Sequence, residues 1–191
     1  MNDVEKQVSL IHETANRLIK WGAHSKAWGI QIQQPKLCYW NRLREVAASL
    51  AFPLVLDHMG LFKAASMAPA GSTPVTQQAE WQDFMGALRD GNLWIKISAP
   101  YRNSRAAPHF EDLYDIVTQL VRARPDRVVW GSDWPHTQRH EDRRPENIGK
   151  QEPFLVVDNQ SWIVSLSTWL SEDEWQALWV ENPRKLYDYY S

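Results

Sequence analysis

Hydrophobic and polar positions alternate along the chain with two different periods. Short runs that are continuously apolar, or apolar at every second residue, predict strands, and longer stretches with apolar residues every three or four positions predict helices. The predicted strands are residues 28–33, 52–57, 93–98 and 127–131. The predicted helices are residues 3–20, 38–50, 77–90, 108–124 and 161–170, a helix opened by a capping box at 171–174, and a short one beginning at 182. Strands separated by helices are typical of βαβ units, so the pattern predicts an α/β fold with parallel strands.

Polar residues stand at the ends of the predicted strands. Asp57 and His58 follow the second strand, Ser98 ends the third, and Asp133 follows the fourth. Because the carboxyl ends of parallel strands meet at one edge of a sheet, we expect these side chains to gather there. A buried carboxylate is costly unless it is paired or functional, which makes Asp133 a candidate catalytic residue. Two alternatives stay open: Asp133 caps a following helix, and His58 is a loop residue bonded to backbone.

The alternation within strand 93–98 places Lys96. Trp94, Lys96 and Ser98 share one face of this strand, and the other face is apolar. The apolar face must pack on helices, so Lys96 and the similarly placed Gln31 should face the opposite side, which would be the inside of a barrel. There Lys96 either lies near an anionic ligand or forms a structural pair with a carboxylate.

Composition narrows the class of protein. The chain has 191 residues, 43% of them hydrophobic, and a formal net charge of −2. These values predict one soluble domain over residues 1–191, and they exclude a disordered chain and a basic nucleic-acid binder. No apolar stretch approaches the roughly 18 residues that a membrane span needs. The single cysteine, Cys38, excludes an internal disulfide and favours a packing role. We therefore expect a cytoplasmic protein without nucleic-acid or membrane partners.

Four motifs together resemble one protein family. They are Leu54-Val-Leu-Asp-His-Met-Gly60, Trp94-Ile-Lys-Ile-Ser-Ala-Pro-Tyr-Arg102, Val128-Val-Trp-Gly-Ser-Asp-Trp-Pro-His136 and Asn182-Pro-Arg-Lys-Leu-Tyr187. In this order they resemble the amidohydrolase-related (β/α)₈ barrels, and among these the 2-pyrone-4,6-dicarboxylate lactonase branch. The resemblance implies a partial or truncated TIM-like (β/α) barrel with parallel strands and outer helices. The His-x-His of full members is missing, so we expect the chain to start before the fourth barrel strand, with strands four, five, six and eight identifiable.

The resemblance also implies roles for individual residues. Asp133 matches the general base that activates water, His58 a group that polarises a carbonyl, and Arg102 an arginine that grips a substrate carboxylate. The further residues expected at the substrate are Lys96, Ser98 and Tyr101. The implied function is hydrolysis of a small carboxylated lactone, ester or related ring compound. A decarboxylase or lyase of the same superfamily and a degenerate, non-catalytic barrel remain alternatives, so enzymatic activity itself is open.

Cofactors and partners follow from the same comparison. The lactonase branch implies catalysis without a cofactor. A divalent metal such as zinc is the less favoured alternative, because catalytic zinc needs about three protein ligands and only His58 and Asp133 are in place, with His136 as a third if its loop rearranges. The expected ligand is a small anionic substrate. Open strand edges and 11 tryptophans predict a homodimer; helix 3–20 covering an edge is the rival explanation.

Overall fold

A four-stranded sheet lies at the centre of the fold. The computed structural model describes residues 3–21, 28–139, 142, 144–147 and 149–189. The strands are β1 (Ile30–Ile32), β2 (Leu54–Leu56), β3 (Leu93–Ser98) and β4 (Val128–Gly131). The helices are α1 (Asp3–Lys20), α2 (Trp40–Ser49), α3 (Trp81–Asp90), α4 (Tyr114–Ala123), α5 (Asn159–Trp169), α6 (Glu172–Gln176) and α7 (Asn182–Tyr187), with a π-helical turn, Ala177–Glu181, between the last two.

The strands lie side by side in chain order, β1-β2-β3-β4, and every neighbouring pair is parallel. This confirms the predicted α/β architecture. The expected assignment of the four strands to barrel positions four, five, six and eight is wrong for the last two. Ile95 of β3 pairs directly with Val128 of β4, so no barrel strand is missing between them. The long connection after β3 folds as short 3₁₀ turns followed by α4. Apolar periodicity alone does not distinguish such a connection from one that contains a further strand.

The two faces of the sheet bury different partners, because successive side chains of a strand point to opposite sides. The apolar face of each strand joins the main core with α1 to α4, where the rings of Trp40, Phe62, Trp81 and Phe84 pack edge-on or tilted against one another. The opposite face carries a smaller cluster. Its members are Val55, Trp94 and Val129 from three strands and Leu186 from α7. Helix α7 therefore packs on the inner face of the sheet.

Several boundaries match the sequence pattern and others shift. The capping box is confirmed, because Ser171 and Glu174 exchange side-chain and backbone hydrogen bonds at the start of α6. Helix α3 begins at Trp81, four residues later than predicted from 77. Cys38 is exposed, so the expected packing role is wrong. In the described part of the chain, no helix is long and apolar enough to cross a membrane.

Candidate active site

The turn after β2 has a left-handed backbone. His58, Met59, Gly60 and Leu61 have φ values of 51°, 50°, 68° and 58°. Residues with a side chain adopt this conformation only at an energetic cost. A Cβ at Gly60 would lie 2.7 Å from the Phe62 ring, so glycine is needed there for space as well. The turn reverses the chain directly at the strand end and keeps His58 at the edge of the sheet, where it is only 5% exposed.

The His58 ring is held on both sides. Its Nδ1 lies 2.9 Å from Ser98 Oγ, and its Nε2 lies 3.0 Å from an Asp57 oxygen and 3.5 Å from Asp133 Oδ1. Ionised carboxylates only accept hydrogen bonds, so this geometry assigns the ring proton to Nε2 and makes the Ser98 hydroxyl the donor to Nδ1. Burial lowers the pKa of His58 below its ordinary value, against the opposing effect of the two carboxylates. His58 is therefore a neutral donor pointing at two carboxylates.

Asp57, which the sequence analysis places at the carboxyl edge without a functional role, is part of the site. It is 6% exposed, accepts a hydrogen bond from Gln31 Nε2 at 3.1 Å, and lies 3.7 Å from Lys96 Nζ. Lys96 also donates to Gln31 Oε1. Of the two interpretations of Lys96, the structure therefore realises the structural pair with a carboxylate. The alternation of side chains along a strand could have identified Asp57. It places Asp57 on the same face of the sheet as Val55, just as it places Lys96 on the same face as Trp94.

Asp133 follows β4 in a left-handed conformation with φ 64°, which aspartate tolerates better than most residues. Its Oδ2 accepts hydrogen bonds from Tyr101 Oη at 2.5 Å and from Arg102 Nε at 2.9 Å. A turn follows Asp133 rather than a helix, so the helix-cap alternative is wrong. Burial, together with the hydrogen bond to Asp133, raises the pKa of Tyr101 well above its ordinary value, so that the phenol stays protonated and donates.

Arg102 lies between Asp133 and Thr137. Besides Nε on Asp133, its Nη2 donates to Thr137 Oγ1 at 2.8 Å and to the Thr137 carbonyl at 3.3 Å. Its Nη1 makes no hydrogen bond within the described part of the chain. The arginine therefore holds Asp133 and Thr137 at the same time. Such a fork suits both tasks, since guanidinium donors lie in one plane.

These side chains border a cavity of about 380 Å³ at the carboxyl edge of the sheet. Its lining comprises Gln33, Asp57, His58, Leu61, Lys63, Arg102, Asp133, Thr137, Gln138 and Arg139. The structure thus brings His58, Arg102 and Asp133 to one cavity, while Lys96, Ser98 and Tyr101 contact residues of its wall. His136 is buried and packs edge-on against the Tyr101 ring.

Lys63 and Arg139 were missed in the sequence. Lys63 Nζ donates to the Arg102 carbonyl at 2.7 Å, and Arg139 Nε donates to the Tyr101 carbonyl. Both reach the site from irregular segments whose course no sequence period predicts. With Arg102 they give the lining three cationic side chains beside the two carboxylates of Asp57 and Asp133, and Arg139 is also paired with Asp142 at 2.7 Å.

The described side chains do not fit a catalytic metal ion. Among the described residues, no group of three or more His, Cys, Asp or Glu side chains is arranged to hold one. One oxygen of Asp133 accepts hydrogen bonds from Arg102 and Tyr101. The positive charge of Arg102 beside this carboxylate disfavours the binding of a metal cation to it. A catalytic zinc site needs about three protein ligands and one open position.

Comparison with known proteins places the chain in a family. The amidohydrolase family pattern matches residues 42–189, and the chain belongs to that family. It is 28% identical over 147 residues to a 4-sulfomuconolactone hydrolase of Hydrogenophaga intermedia, covering 77% of this chain and 43% of that protein. It is also 28% identical over 184 residues to a 2-pyrone-4,6-dicarboxylate hydrolase of Comamonas testosteroni, covering 92% and 52%.

A solved structure supports the fold assignment. The crystal structure of a probable 2-pyrone-4,6-dicarboxylic acid hydrolase from Acinetobacter baumannii superposes with a TM-score of 0.59 at 21% identity, over 85% of this chain and 53% of that one. At this identity the likeness concerns the fold alone. The chain spans about half the length of the relatives it matches. Its four adjacent parallel strands are therefore part of a TIM-like barrel.

Proposed function

We propose that the cavity at the carboxyl edge hydrolyses a small carboxylated lactone, with Asp133 as the general base. One observation carries this proposal: a neutral histidine donor lies 3.5 Å from a carboxylate oxygen, Asp133 Oδ1, whose partner oxygen is fixed by Tyr101 and Arg102. A base and a hydrogen-bond donor are thus held side by side in one cavity. Acyl hydrolysis needs both, because water must lose a proton while the carbonyl oxygen gains negative charge.

The roles divide between the two oxygens of Asp133. Tyr101 and Arg102 hold Oδ2, so Oδ1 is the oxygen that takes a proton from water. That water attacks the carbonyl carbon of the lactone, and the developing oxyanion takes over the hydrogen bond from His58 Nε2, which in the free protein is directed at Asp57. When the ring carbon–oxygen bond breaks, the leaving oxygen takes up the proton held by Asp133. The product is the ring-opened acid, and Asp133 returns to its carboxylate form.

The charge of the lining supports an anionic substrate. Lys63, Arg102 and Arg139 border the cavity, and guanidinium groups bind carboxylates through paired hydrogen bonds. A volume of about 380 Å³ suits a single small ring, since ligand pockets range from roughly 300 to 1,000 Å³. The relatives are named for lactones that carry a sulfonate or two carboxylates, and we propose the same class of substrate here.

Ring opening can be measured directly by absorbance and chromatography. The purified chain is incubated with 2-pyrone-4,6-dicarboxylate, with 4-sulfomuconolactone and with a neutral lactone of the same ring size. We expect turnover of at least one acidic lactone, loss of that turnover in Asp133→Asn, and at least about tenfold weaker turnover of the neutral lactone. Equal turnover of neutral and acidic lactones would contradict the anionic substrate, and turnover unchanged in Asp133→Asn would contradict the base.

We further propose a homodimer in the cytoplasm. Within the described part of the chain, β1 pairs only with β2 and β4 only with β3, which leaves an edge at each side of the sheet. Unpaired edges favour association with another chain. Light scattering coupled to gel filtration should give the mass of two chains at micromolar concentration. A stable monomer would instead favour α1 as the cover of the β1 edge. Helix α1 reaches the segment after β1, where Gln7 Nε2 donates to the Gln33 carbonyl.

A further inference from the structure

Asn103 links the two loops that carry the site. It is fully buried, and its Nδ2 donates to the His58 carbonyl at 3.0 Å and to the Phe62 carbonyl at 2.9 Å. These two carbonyls mark the beginning and the end of the left-handed turn. Asn103 also follows Arg102 directly in sequence, and its own carbonyl accepts from the Ala64 amide at 2.8 Å. One residue therefore joins the turn after β2 to the turn after β3.

The left-handed turn needs such a link. Three of its four residues, His58, Met59 and Leu61, carry side chains that disfavour positive φ. Backbone strain of this kind persists only where the surroundings hold it. Without the two hydrogen bonds from Asn103, the turn is free to relax toward ordinary φ values. That change would rotate the His58 ring away from Ser98, Asp57 and Asp133.

We propose that Asn103 is a positioning residue for His58. By closing the left-handed turn, it aims Nε2 at the two carboxylates and holds Nδ1 against Ser98. Its consequence for rate rests on the proposed lactone hydrolysis, whereas its effect on the His58 ring does not. The function and the positioning role can therefore fail separately.

Asn182 provides a matched control at the opposite end of the sheet. It is also fully buried, and its Nδ2 also donates to two backbone carbonyls, those of Pro125 at 2.7 Å and Val128 at 2.8 Å. In both asparagines Oδ1 has no hydrogen-bond partner among the described residues. The two side chains thus make equivalent bonds, but Asn182 lies at the amino end of β4 and brackets no left-handed turn.

The test compares Asn103→Ser with Asn182→Ser by nitrogen NMR of the histidine rings, with His58→Gln used to assign the His58 signals. In the unmodified protein we expect the Nε2-protonated neutral ring and a pKa below the ordinary histidine value. Asn103→Ser should move the ring toward a mixture of tautomers and raise its pKa toward the ordinary value. Asn182→Ser should leave the tautomer and the pKa of His58 unchanged. It should lower the melting temperature of the protein by about as much as Asn103→Ser does. On an acidic lactone, Asn103→Ser should lower kcat about tenfold with KM within twofold.

Two outcomes would overturn the proposal. One is an unchanged His58 ring in folded Asn103→Ser, and the other is the same His58 shift in both serine variants. If Asn103→Ser does not fold, the comparison is repeated in the Leu61→Gly background, because glycine adopts the left-handed conformation without steric cost. There the His58 signals with and without Asn103 must still differ.

Discussion

The two ends of the sheet differ in backbone and in charge. Among the described residues, eight that are not glycine have positive φ, and seven of them lie in the segments that follow β2, β3 and β4. They are His58, Met59, Leu61, Ala99, Phe110, Asp133 and His136. The amino end of β4 is formed instead by the ordinary turn Pro125–Arg127, beside the partly buried pair of Arg124 and Asp126.

The difference shows where the fold accepts strain. Strained backbone and buried charges coincide with the cavity, and the core of interlocking aromatic rings lies on the helix-covered face. Natural proteins tolerate such local conflicts mainly where the function requires them. The comparison therefore predicts that substitutions at the carboxyl edge change chemistry, whereas equivalent substitutions at the amino end change only stability.

The largest effect is expected for Asp133→Asn. The amide keeps the shape of the side chain but cannot accept a proton from water, so kcat on an acidic lactone should fall by about 10³-fold, in the range of a lost general base. Circular dichroism should show a folded protein. Asp126→Asn, which weakens a partly buried pair with Arg124 at the amino end, should leave kcat unchanged. A fall of less than tenfold in Asp133→Asn would remove Asp133 from the chemistry.

A smaller effect is expected for Arg102→Lys. Lysine cannot contact Asp133 and Thr137 while offering a further nitrogen to an anionic substrate. Losing a charged hydrogen bond, at about 1.5–3 kcal/mol, should raise KM by roughly 10- to 100-fold. The paired control is Arg124→Lys, whose arginine binds Asp126 and the carbonyl of Arg89. If KM stays constant and only kcat falls, Arg102 orients Asp133 without binding substrate.

Tyr101→Phe should have a weaker effect. It removes one of the two donors to Asp133 Oδ2, so we expect kcat to fall about tenfold, equivalent to about 1.4 kcal/mol. Because the pKa of Tyr101 is raised, the pH profile of the unmodified protein should show no loss of rate from phenolate formation up to about pH 10, the ordinary tyrosine pKa. Tyr39→Phe, at a partly exposed tyrosine that does not line the cavity, is the control. An alkaline loss of rate that disappears in Tyr101→Phe would contradict the assigned donor.

The smallest effect concerns stability and pH. The pKa of His58 is lower in the folded protein than in the unfolded chain, so the unfolded chain takes up this proton first as the pH falls. The free energy of unfolding should therefore decrease as the pH falls below about 6.5, by at most about 1.4 kcal/mol per pH unit. Urea unfolding between pH 8 and pH 5 measures this slope. It should become shallower in His58→Gln and stay the same in His12→Gln, a change at an exposed position of α1. Equal slopes in all three proteins would show that His58 is not held neutral by burial.

The sequence predicts the strands and their parallel order because each strand is a short apolar segment with its own period. It also places His58, Arg102 and Asp133 at one edge, since this requires only that parallel strands share their carboxyl ends. It does not predict the contacts within the site. The left-handed turn at His58 depends on Asn103, which is 45 residues away along the chain. Lys63 and Arg139 likewise reach the cavity through loop conformations that long-range packing determines.

Single-turnover hydrolysis in ¹⁸O-labelled water tests the central claim most directly. With excess protein over an acidic lactone, a water molecule activated by Asp133 should place one ¹⁸O atom in the ring-opened acid and leave the Asp133 peptide unlabelled in mass spectra. Asp133→Asn should give no labelled product on the same time scale. An ¹⁸O label in the Asp133 peptide with unlabelled first-turnover product would mean direct attack by the carboxylate. Release of carbon dioxide without ring hydrolysis would contradict a hydrolase and favour a decarboxylase.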